Sequence, residues 1–143
     1  MCSEIIHHKT ETEWRNFYGR FKGKSLSATQ TDALLTEFVK YSIGNISLQE
    51  NPQRKKIKLS DILNKKTIWL EIGFGGGEHL IHQARLYPDI GFIGCEPYQN
   101  GVAKLMAKLS ANPCQNIKLY DGDVRNVFDV LEKNSVSKVF LLY

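Results

Sequence analysis

The chain has 143 residues, of which 42% are hydrophobic and 24% charged, with a net charge of +4. That length holds about one domain, the composition is that of a globular protein in water, and no apolar run approaches the roughly 18 residues a membrane span needs. Cys2, Cys95 and Cys114 share no disulfide or metal spacing, and "MCSEIIHHKTETEW" has no basic-then-apolar leader pattern, so the expected setting is reducing and cytoplasmic.

The first 66 residues hold 12 Lys or Arg against 7 Asp or Glu, and the remainder holds 7 against 8. The basic excess therefore lies upstream. In "WRNFYGRFKGKSLSATQ", Arg15, Arg20, Lys22 and Lys24 alternate with Trp14, Phe17, Tyr18 and Phe21. A basic segment with interleaved aromatics suits a polyanion such as RNA, although a solvated Lys-rich face has the same composition. Ser27–Thr29 offer N-caps, and Leu34, Leu35, Phe38 and Val39 predict one amphipathic helix. "ENPQRKKIK" reads as a second exposed basic segment or linker. Residues 1–66 are thus expected to form a basic N-terminal extension with one helix.

From residue 67 the pattern changes. "TIWLEI" is a short continuous apolar run, as in a buried parallel strand. A helix is expected from Gly77 or Glu78 to about Leu86, ended by "YPD". "GFIGCE" gives a second strand. Val102, Leu105, Met106 and Leu109 mark one face of a second helix. "NIKLY" is a third strand, Val124, Val127, Phe128 and Leu131 repeat the helical spacing, and "KVFLLY" is a fourth strand. The order βαβαβαβ points to an α/β fold, a parallel sheet with helices on both faces. The chain stops at Tyr143, in or just after the fourth strand, so a fragment with an uncovered apolar edge is expected.

The chemistry concentrates in "LEIGFGGGEHL". Glycines where a strand turns into a helix let a ligand approach bare backbone. Gly73, Gly75 and Gly77 do not complete the dinucleotide fingerprint G-x-G-x-x-G, whose last position falls on Glu78, and no P-loop lysine follows. Glu71, at the end of the first strand, would repel a pyrophosphate and attract a cation. E-x-G-x-G-x-G therefore suits S-adenosylmethionine, which carries a sulfonium and an ammonium but no phosphate. Glu96, in "GCEPY", ends the second strand, where a carboxylate can accept hydrogen bonds from ribose hydroxyls. Asp123, in "LYDGDV", follows the third strand and is preferred to Asp121 for contact with the adenine. Each acid also has a plain structural role: Glu71 in an ion pair, Glu96 as a solvated acid before Pro97, Asp123 as a helix N-cap. His79 and His82 stand three apart on a helix without a carboxylate or cysteine at ligand spacing, so no metal is expected. Cys95 and Met106 read as core.

"WLEIGFGGGEHL", "FIGCEPYQNGV", "DGDV" and "VFLLY" together resemble the bacterial tRNA (guanine-N7)-methyltransferases. "FYGRFKGKSLSATQ" resembles the basic segment and first helix of that family. The likeness runs from about Phe17 onward and is most specific from Leu70 to Val102. It implies a class I methyltransferase (Rossmann-like) fold, S-adenosylmethionine as donor, and a tRNA guanine as acceptor. By matching motifs, Glu71, Gly73, Gly75, Gly77, Glu96 and Asp123 become cofactor-binding residues, and Arg15, Arg20, Lys22 and Lys24 nucleic-acid-binding ones. The family's Pro-Asp-Pro-Trp segment, with its catalytic aspartate, is expected beyond Tyr143, so residues 67–143 are read as the cofactor-binding half and no catalytic residue is assigned. The alternatives are a non-catalytic RNA-binding remnant and, disfavoured by the broken fingerprint, a nucleotide-binding oxidoreductase.

Overall fold

The computed structural model of the chain describes residues 23–142. Four short strands, β1 (Thr67–Ile72), β2 (Ile90–Cys95), β3 (Ile117–Tyr120) and β4 (Lys138–Leu141), form one parallel sheet in the order β3-β2-β1-β4. The chain steps outward from β1 to β3, then returns to the other side of β1. That reversal makes the carboxyl ends of β1 and β4 a topological switch point, where open α/β sheets bind ligands. The expected α/β sheet with helices on both faces is present.

Alternation along the strands sorts the core into two layers. Phe92, Ile117 and Leu119 face one side, where they meet Leu80, Ile81 and Ala84 of α4 (Glu78–Leu86) and Val102, Leu105, Met106 and Leu109 of α5 (Gln99–Ala111). Ile68, Leu70, Ile93, Cys95 and Tyr120 face the other side. There they meet Leu59 and Leu63 of α3 (Leu59–Leu63) and Val127 and Val130 of α6 (Val124–Val130). Burial of these side chains, each contributing roughly 1.5–3 kcal/mol, carries the fold.

Upstream of residue 66 the described chain has three helices rather than the predicted one. The first, α1 (Ala28–Thr36), starts at a capping box between Ser27 and Gln30 and packs against α5. The helix stops at Glu37 and resumes as α2 (Phe38–Tyr41). This break changes the buried face. Leu35 and Val39, expected in the core, are 72% and 77% exposed, while Ala33 and Tyr41 are buried. Ser42 and Ile43 then pair with Leu119, covering the outer edge of β3.

"ENPQRKKIK" is also not a free linker. Ile57 bridges to Leu131, Arg54 forms an ion pair with Asp129 at 3.1 Å, and Lys56 Nζ donates to the Asp129 carbonyl. Leu131 has left the helix to make that bridge, and Phe128 is 47% exposed, so neither completes the predicted stripe of α6. On β4, Val139 and Leu141 share an exposed face, while Phe140 packs edge-on against Trp69.

Candidate functional site

The turn after β1 is built from glycines in a left-handed backbone. Gly73, Gly75 and Gly77 have φ of 75°, 59° and 84°, a region costly for residues with a Cβ. The turn is pressed from behind by α5, where a Cβ on Gly101 would lie 2.4 Å from the Gly75 carbonyl oxygen. Lys108, also on α5, donates to the Gly76 carbonyl at 2.9 Å and to Glu78 at 2.7 Å.

Glu96 stands one residue beyond β2, partly buried. Its carboxylate accepts the Gly75 N–H at 2.7 Å and the Tyr98 N–H at 3.1 Å. The structure thus joins the second acid directly to the glycine turn. Asp123 caps α6: it accepts the Arg125 backbone N–H at 2.9 Å, and the Arg125 guanidinium grips both its oxygens. Asp123 and Glu96 both lie near enough to the Cys95 thiol to disfavour its ionisation. Burial pushes that thiol far above its ordinary range in any case, so Cys95 is an inert core residue, as is the fully buried Met106.

Glu71 lies in different surroundings. It is completely buried on the α4 face of the sheet, with one oxygen hydrogen-bonded to Nδ1 of His79. Its other oxygen, Oε2, is sealed from solvent and has no partner. Burial pushes the Glu71 carboxyl above its ordinary range, and His79 only partly offsets this. His79 is therefore more than half of a His pair: its partner is the acid eight positions upstream, at the end of the preceding strand. Among the described residues no three His, Cys, Asp or Glu gather as a metal site, and no helix is long and apolar enough to cross a membrane.

Of the four basic residues singled out, Lys24 alone is described, while Arg15, Arg20 and Lys22 lie outside the described residues. Lys24 is anchored by its backbone. The Asn100 side chain accepts the Gly23 N–H at 2.9 Å and donates to the Lys24 carbonyl at 2.5 Å. An open groove lined by Lys24, Tyr98, Asn100 and Lys104 runs beside this clamp. Asn100 and Gly101 escape a reading of the sequence because "NG" signals a turn, whereas here it opens a helix.

The profile of a family described as "Putative methyltransferase" matches residues 65–143, more than half of the chain. The chain belongs to this methyltransferase family. It is 47% identical over 136 residues to the tRNA (guanine-N(7)-)-methyltransferase of Ruegeria sp. (strain TM1040), covering 95% of this chain and 53% of that protein. It is 51% identical over 129 residues to the one from Jannaschia sp. (strain CCS1), covering 90% and 54%. The chain therefore spans about half the length of these curated relatives. A solved structure described as an antibiotic-related methyltransferase shares the fold, with a TM-score of 0.52 at 16% identity over 73% of this chain and 50% of that one. The resemblance noted in the sequence is thus borne out. Membership in a methyltransferase family implies a methyl donor.

The donor set suits a cationic nucleoside. Acids end β1 and β2 and open α6, and Glu71 has a buried oxygen without a donor. Lys108, the lysine that reaches the turn from α5, is spent on Gly76 and Glu78.

Proposed function

We propose that this chain forms the methyl-donor part of an enzyme that transfers a methyl group from S-adenosylmethionine to N7 of a guanine in tRNA, in the cytoplasm. The observation that carries the proposal is Glu96 bonded to the N–H of Gly75. A carboxylate there is pre-aligned by backbone, beside a turn in which four of five residues are glycine and Phe74 is turned into the core. Glu96 would take the ribose hydroxyls, Asp123 would approach the adenine edge from α6, and Glu71 would supply negative charge behind the turn. When bound, the cofactor supplies a sulfonium-activated methyl group that a guanine lone pair can accept directly.

Guanine N7 needs no deprotonation, so the chain's contribution is to align and exclude rather than to move a proton. The similarity to relatives named as tRNA (guanine-N(7)-)-methyltransferases supports the acceptor. Arg15, Arg20, Lys22 and Lys24 are assigned to tRNA phosphates, with Asn100 fixing the last of them beside the site.

The test is calorimetric titration with S-adenosylmethionine, followed by incubation with methyl-labelled cofactor and unmodified tRNA and nucleoside analysis of the product. Cofactor binding and label recovered as N7-methylguanosine are expected. Label in another nucleoside would reject the acceptor. Tight tRNA binding without cofactor binding would leave the RNA-binding alternative in its place.

A further inference from the structure

The proposed function gives no task to His79, yet His79 holds the most deeply buried acid of the site. Glu71 has one oxygen on His79 Nδ1 and the other enclosed with no hydrogen-bond donor. A buried carboxylate with a bare oxygen is unfavourable when ionised. His79 itself is 37% exposed, with its ring edge-on to Phe140 at 5.0 Å. The pair therefore joins a dry carboxyl to a ring that solvent can reach, which gives a proton a way in and out.

Most of the surrounding charges are engaged elsewhere. On β2 the register partner of Glu71 is Gly94, which has no side chain, and Glu96 beyond it is held by Gly75 and Tyr98. On β4 the register partner is Phe140, and Lys138 rests over the Trp69 and Phe140 rings at 4.5 and 5.1 Å. On α4, Glu78 is paired with Lys108 of α5, with Lys104 also nearby, and His82 lies one turn further on. Among the described residues, His79 is the charged or titratable side chain bonded to Glu71.

We propose that Glu71 and His79 hold one proton between them, and that binding of the cationic methyl donor expels it. The inference rests on the reading of this site as a cofactor site. With the proton the pair is neutral, whichever atom carries it; without the proton the pair bears a single negative charge. Coupled groups titrate as a unit, so the charge of the pair is the quantity that matters. A cation against the Gly73–Gly77 turn sits at the strand end that holds this pair, and it favours the negative state. The upward push of burial on the Glu71 carboxyl keeps the proton in place until then. One proton passes to solvent, the ligand is chemically unchanged, and no bond between heavy atoms forms or breaks. His79 is a positioning residue that acts through Glu71.

The experiment is titration of the purified protein with S-adenosylmethionine at about pH 6 to 6.8, in buffers of different ionisation enthalpy. In that range the ligand's own amino group, with an ordinary value of about 7.7–8.0, stays protonated, so released protons come from the protein. Up to one proton should be released per ligand bound, and affinity should rise with pH by up to about tenfold per pH unit. In the Glu71→Gln, His79→Gln double variant neither member of the pair can titrate, so release should fall close to zero and affinity should lose this pH dependence. Glu71→Gln with His79→Asn serves as a second variant should the first fail to fold. Measurable binding with no buffer dependence in the wild type would overturn the proposal and leave the cofactor site intact, as would unchanged release in the folded double variant. Absence of binding at every pH would overturn the cofactor site and this proposal together.

Discussion

The carboxyl ends of β1 and β2 each deliver a glutamate beside the same glycine turn, and the two side chains meet opposite conditions. Glu71 lies inside its strand, which runs to Ile72, so the pleat turns its side chain into the α4 layer and away from water. Glu96 lies one residue past its strand, which stops at Cys95, so it is released from the pleat and meets two backbone N–H groups instead. A difference of two positions relative to the strand end separates a carboxylate satisfied by backbone from one left half-satisfied in the core. At the first, charge is stabilised before any ligand arrives. At the second, the ionised carboxylate is costly, and a cationic ligand would offset that cost.

The largest effect should come from breaking the support behind the β2 end. Gly101→Val would drive a side chain into the Gly75 carbonyl, which cannot rotate away. We expect a stability loss of about 3 kcal/mol, with weaker cofactor binding as Gly75 leaves Glu96. An unchanged denaturation midpoint would show that the close approach is not a constraint. Next, Glu96→Ala should reduce cofactor affinity roughly thirtyfold, about 2 kcal/mol, and lower stability by about 1 kcal/mol as the Gly75 and Tyr98 N–H groups lose their acceptor. Calorimetry giving the wild-type dissociation constant would take Glu96 out of the site.

Glu71→Leu should behave in the opposite sense, with stability up by about 1 kcal/mol at neutral pH and cofactor affinity down. Its pH dependence follows from the direction of the shift. Burial raises the Glu71 carboxyl above 4.5, so the folded state holds that proton more firmly than the unfolded one. The stability this group contributes is full below pH 4.5 and is lost as pH rises through the raised value. The leucine variant is spared that loss, so its advantage over wild type should grow from acid toward neutral pH in denaturant titrations. An advantage that shrinks over this range would contradict the assignment. The smallest effect on either strand end is expected from replacing Arg15, Arg20, Lys22 and Lys24 together with Gln. Cofactor affinity should hold, while the salt slope of tRNA binding should fall by about 0.7–0.9 for each phosphate no longer neutralised. An unaltered slope would return these residues to the solvent.

What the sequence made legible follows from how local each cause is. "TIWLEI" is mostly apolar because β1 packs against core layers on both faces, and "KVFLLY" has a similar run although Val139 and Leu141 of β4 are exposed. Gly73, Gly75 and Gly77 are legible because a left-handed turn tolerates few other residues. The features that sequence patterning misses share a distant partner. Leu35 and Val39 have core-like spacing, yet docking against α5 and the break at Glu37 turn them outward. Arg54 and Lys56 read as solvated charges because Asp129 lies more than 70 positions away. His79 belongs to the same class at shorter range. Its partner is separated from it by a turn whose shape only the folded chain defines.

The bridge from Ser42 to Leu119 also orders events in time. A ribosome releases Ser42, Ile43 and all of α1 long before β3 exists, and the Lys118-to-Lys40 bond nearby spans 78 positions. At roughly 5–20 residues per second that gap lasts on the order of 10 s. For most of it α1 has no α5 to lean on, and until its end Ser42 and Ile43 have no β3 to pair with. The upstream segment is thus made early and is among the last able to take its place, and its apolar side chains must wait in the open until the strand they cover has been made.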